Sequence, residues 1–112
     1  MTDSGRSIQQ RLLALARDAH AAGHHEAAYH ALAASLHAAE DARDLAVIAE
    51  VVREASTQLA WLDTHLPEHR SSTRSAEARG HPAAYEMLVR QAKRWTESAG
   101  KPPGSLSPGT GV

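Results

Sequence analysis

From Leu45 to Leu66 apolar residues recur at alternating three- and four-residue steps: Leu45, Ile48, Val52, Ala55, Leu59, Leu62 and Leu66. Only an α-helix brings residues with that period onto one side. Val47, Val51 and Trp61 add a second strip beside the first. A helix with that much apolar surface packs on two sides, within a bundle or against another copy of the chain. Asp41 or Asp44 can cap its start, and Pro67 stops it because the residue before a proline is pushed out of helical geometry.

The same period marks three further elements. Ser7 and Gln10 have the spacing of a capping box, and Ile8, Leu12, Leu15, Ala16 and Ala19 give the helix that follows one apolar face. Gly23 ends it, since glycine readily takes the left-handed conformation of a helix terminus. A second helix begins near His25, with Glu26 in its positive first turn and Ala28, Leu32, Ser35, Leu36 and Ala39 as its inner stripe. The short link at Gly23 folds these two into an antiparallel hairpin. Pro82 suits the first turn of a last helix whose apolar edge is Tyr85, Leu88, Ala92, Trp95 and Ala99. The expected organisation is all-α: a four-helix, bundle-like fold with a three-helix core over 1–66, a flexible linker over 67–80, a fourth helix over 81–100 and a disordered tail over 101–112.

Composition narrows the function classes. Twelve Lys and Arg against 13 Asp and Glu give a net charge of −1, without the basic excess that draws a chain onto nucleic acid. Cysteine is absent, which removes disulfides and thiolate metal sites. No uncharged apolar run approaches the roughly 20 residues of a membrane span. Met1 to Gln10 has no apolar core of a signal peptide, so the expected compartment is the cytoplasm. Alanine fills 23 of 112 positions and phenylalanine none, so the core is thin and self-association is the expected source of extra stability.

Histidine, with eight copies, supplies the candidate chemistry. On the second helix Glu26, His30, His37, Asp41 and Asp44 fall on one face, opposite Leu32 and Ala39. Glu26 with His30, and His37 with Asp41, stand four residues apart. At that spacing two side chains reach one ion from adjacent turns, and imidazole with carboxylate suits a divalent metal such as zinc. The plain alternative is a solvated face carrying ordinary i,i+4 pairs. His20, His24 and His25 gather at the Gly23 corner, and read as solvated or as a metal site with other histidines. His65 and His69 straddle Pro67, which breaks their register.

Two family resemblances follow from these residues. Leu12 to Asp44 resembles a single tetratricopeptide repeat: Ala16 upstream, Gly23 at the turn, Ala28 five residues later, then Leu32 and Ser35 at the large and small positions. That family packs antiparallel helix pairs and binds proteins; the resemblance implies protein binding without catalysis. Such hairpins are stabilised by stacked neighbours, here the later helices or a second chain. Around His30 the chain also resembles histidine phosphotransfer domains, matching at Leu32 and Ser35. Ala33 and Ala34 stand where that family has lysine and glycine, so the cation that neutralises the phosphoryl group is missing. No glycine-rich phosphate loop or nucleophile elbow is present. The leading expectation is a non-catalytic protein–protein interaction module, self-associating as a homodimer through Leu59, Trp61, Leu62, Tyr85, Leu88 and Trp95, with no cofactor, nucleic acid or membrane partner. The competing one is a metal-binding or metal-responsive protein.

Overall fold

The computed structural model describes residues 5–99, so the expectation of a disordered tail over 101–112 lies outside the described residues. These residues form helices only: α1 (Ile8–Ala21), α2 (His25–Ala42), α3 (Leu45–His65), α4 (Thr73–Ala78) and α5 (Ala84–Ala99). The all-α class is as the periodicity requires.

Each boundary has a local cause. Ser7 Oγ accepts the Gln10 N–H at 3.2 Å while Gln10 Oε1 accepts the Ser7 N–H at 2.9 Å, a complete capping box. At the other end of α1, the His24 N–H donates to the Ala19 carbonyl at 2.8 Å and the Gly23 N–H to His20 at 3.0 Å, with Gly23 at φ +87. This doubly bonded glycine terminus reverses the chain into α2. The link from α2 to α3 is tighter. Arg43 takes a left-handed φ of 55, and Asp44 at once caps α3 by accepting the Val47 N–H at 3.2 Å. Of the two candidate caps, Asp44 is the one used.

The α1–α2 hairpin is the most extensive packing, and α3 lies against it on one side and against α5 on the other. That two-sided packing is what the double apolar strip demanded, and it sets which residues are internal. On α3 these are Val47, Ile48, Val51, Ala55, Gln58 and Leu62, while Leu45 and Leu66 at the ends of the heptad run stay exposed. On α2 the expected stripe of Ala28, Leu32, Ser35, Leu36 and Ala39 is wholly buried. On α1 the buried face is rotated from the expected one: it is Gln9, Leu13 and Ala16. Ile8 and Leu15 are each 55% exposed and, with Leu12 and Arg11, line a shallow hollow on the outside. The reason is polar. Ser35 Oγ on α2 donates to the Gln9 carbonyl at 2.8 Å, and Gln9 Nε2 donates to Asp44 Oδ2 at 3.0 Å, which turns the Gln9 side inward.

The stretch expected as a flexible linker carries α4, a short helix beyond the four expected. Ser72, fully buried, caps it by accepting the Ser75 N–H and donates its own hydroxyl to the Pro67 carbonyl at 2.6 Å. Thr73 donates its N–H and hydroxyl to the two Asp63 oxygens at 2.8 and 2.7 Å, while Arg70 reaches Glu26 on α2 at 2.7 Å. Side-chain hydrogen bonds, which leave no apolar period, hold this strap in place.

Candidate functional site

The histidine face of α2 does not converge. Glu26 pairs with Arg70, His37 Nδ1 lies 3.7 Å from Glu40 rather than on Asp41, and His30 packs edge-on against the Tyr29 ring. Asp41 is exposed beyond them. Among the described residues no group of three or more His, Asp or Glu side chains is placed to hold a metal ion. The two half-sites stay two turns apart, and each carboxylate or imidazole that has a partner has found a different one.

The expected interface set divides. Leu62, Tyr85 and Leu88 are buried inside this chain's own core, because α5 packs on α3 of the same molecule. Leu59 and Trp95 are half-buried against that core, and Trp61 is 38% exposed. Ser35 bonds across the hairpin to the Gln9 carbonyl of α1.

A buried polar relay joins three helices. The Tyr85 hydroxyl donates to Gln58 Oε1 at 2.6 Å, Gln58 Nε2 donates to Glu54 Oε2 at 3.0 Å, and Arg17 Nε donates to Glu54 Oε1 at 3.0 Å. Burial, the largest cause, together with the Glu54 charge pushes the Tyr85 phenol well above its ordinary range, so it stays protonated and keeps the proton it donates to Gln58.

The Gly23 corner, where His20, His24 and His25 were expected together, also draws in His65 and His69. His20 at the end of α1 and His25 at the start of α2 meet with their Nδ1 atoms 3.1 Å apart. The Trp61 ring lies 5.2 Å from His20 and 5.1 Å from His25, with His65 stacked on it at 4.4 Å. His69 closes the corner from the strap, its ring 5.7 Å from His25. The signal for half of this was the i,i+4 pair Trp61 and His65. The other half was hidden, since Pro67 breaks the helix and thereby turns His69 back toward α2. The Ser71 N–H donates to His69 Nδ1 at 3.0 Å, which occupies that nitrogen's lone pair and fixes the ring against the strap.

On the opposite face of α3, the seam with α5 is open to the outside. Two adjoining hollows of about 410 and 420 Å³ run along it. One is floored by Ala55, Leu59, Ala60 and Val89, the other by Leu45, Ile48, Ala49, Val52 and Ala92, and Lys93 borders both. Asp63, Glu86 and Arg90 rim the first; Arg53 and Glu97 rim the second. Among the described residues no helix is long and apolar enough to cross a membrane.

The fold defines a class no narrower than an all-helical hairpin extended by further helices. Comparison with known proteins finds no matching family model, no similar curated protein and no similar solved structure.

Proposed function

We propose that this chain is a small protein–protein interaction module that pairs with a second copy of itself through the α3–α5 seam, without a catalytic step. One observation carries the reading: the two adjoining apolar hollows that α5 leaves open along α3. A seam about 30 Å long and two helices, or about 20 Å, wide offers roughly 600 Å² per copy, the low end of specific interfaces. Its rim favours a second copy as the occupant. Both ends carry mixed charge, Asp63 and Glu86 with Arg90 at one and Arg53 with Glu97 at the other, with Lys93 between them, so a second copy about a two-fold axis can set unlike charges against each other.

Ala49 and Ala60 are exposed and line the two hollows, so glutamate there burdens the seam without entering the core. Sedimentation or light scattering over a concentration series tests the proposal. The wild-type chain is expected to move from monomer to dimer, with A49E and A60E remaining monomeric at unchanged helicity. A wild-type chain that stays monomeric throughout, or a dimer indifferent to both substitutions, overturns it.

A further inference from the structure

The imidazole corner is on the other side of α3 from the seam and is independent of that association. Two imidazoles with Nδ1 atoms 3.1 Å apart hold one proton between them: one ring donates and the other accepts. One added proton leaves such a contact intact, because the second ring still has its lone pair. A second added proton removes the acceptor and sets two cations at hydrogen-bond distance.

The surroundings decide the order in which the rings charge. His20 stands in the last turn of α1, where the helix dipole favours a cation, and Glu54 on α3 favours its charged form. His25 is the first residue of α2, at the positive end of a helix whose cap, His24, makes no side-chain capping bond. Facing His25 are further imidazoles: His20 from α1, His24 from the turn and His69 from the strap, with His65 beyond Trp61 on α3. The carboxylate acting on the pair, Glu54, is already engaged by Arg17 and Gln58. Burial is the largest cause holding both rings below the ordinary imidazole range; the neighbouring histidines depress His25 further, and Glu54 partly offsets the effect at His20.

We propose that the His20–His25 pair is a proton-operated latch, closed while the two rings share at most one added proton. Charging of His25 opens it, releasing the α1–α2 turn from the Trp61 ring and from the strap at His69. The five-imidazole corner thus converts acidification into exposure of an indole, while the α1–α2 and α3–α5 packing stays in place.

The test uses the full chain. Imidazole NMR signals are followed from neutral to mildly acidic pH, and Trp61 emission is read in a W95F background. His25 is expected to charge after His20, and the Trp61 emission to change in that step, with far-UV circular dichroism constant. His25→Gln, which cannot charge, is expected to abolish the emission step, and His24→Gln to retain it. Charging of His25 before or together with His20, an emission step surviving in H25Q, or loss of helix coincident with the step overturns the proposal. If H25Q does not fold, the wild-type charging order alone decides.

Discussion

Tyr85, Gln58 and Glu54 illustrate how a polar side chain becomes structural in a core built largely of alanine, leucine and valine. Gln58 is fully buried and has each end occupied, its oxygen by the Tyr85 hydroxyl and its amide by Glu54. Tyr85→Phe keeps the ring and strips the Gln58 oxygen of its donor, leaving an unpaired buried acceptor, which costs about 1–3 kcal/mol. Urea denaturation is expected to show that loss as a lower midpoint at unchanged slope. The histidines at the corner set the pH dependence. The folded state binds protons to His20 and His25 less readily than the unfolded chain does. Their contribution is therefore complete above the unfolded imidazole value near 6.5 and declines as pH falls below it. Asp44 adds a second, lower window. The Gln9 amide, and then the Val47 N–H, hold its carboxyl below the usual range, so its contribution is lost only as pH falls through the carboxylate region. Urea midpoints measured in steps from pH 7.5 downward are expected to fall in two stages, and H20Q/H25Q is expected to remove the first.

At the scale of elements, two short connections are most exposed to substitution. Arg43 occupies a left-handed conformation that costs an L-residue about 1 kcal/mol, so Arg43→Gly is expected to raise the melting temperature by a few degrees. Ser72 caps α4 and also ties it back to Pro67. Ser72→Ala removes both bonds from a buried site and is expected to cost about 1–2 kcal/mol, with faster amide exchange confined to the strap. The contrast between these segments explains what the residue pattern could reveal. Helices α1, α2, α3 and α5 follow from hydrophobic period, and their ends follow from Ser7, Gly23 and Pro67. The strap escapes such a reading because Ser72, Thr73 and Asp63 hold it by hydrogen bonds between residues up to ten apart. The rotation of α1 escapes it too: Ile8, Leu12 and Leu15 form as good an apolar face as Leu13 and Ala16, and the choice falls to Ser35 and Gln9 across the hairpin. The candidate metal face of α2 was a property of one helix. In the fold Glu26 turns to Arg70 on the strap, and His37 lies nearer Glu40 than Asp41.

The whole molecule is flat, with principal extents of 47 × 44 × 15 Å, so a large share of its surface lies on two broad faces. The proposed association through the seam would stabilise the folded chain by mass action, and the melting temperature is expected to rise with protein concentration in the wild type. The same series in A60E is expected to be level, which calorimetry checks without measuring size. The α1 stripe of Ile8, Leu12 and Leu15 has a different consequence, since it is an apolar surface unlike the seam. Like surfaces meeting about a two-fold axis close after two copies, whereas the α1 stripe of one copy set against the seam of the next would join unlike surfaces, which form a ring when the rotation between copies closes and an open row when it does not. Glutamate at Leu15 would then shorten such rows while sparing the closed pair, and a bulky fusion ahead of Ser7 would act as a stopper.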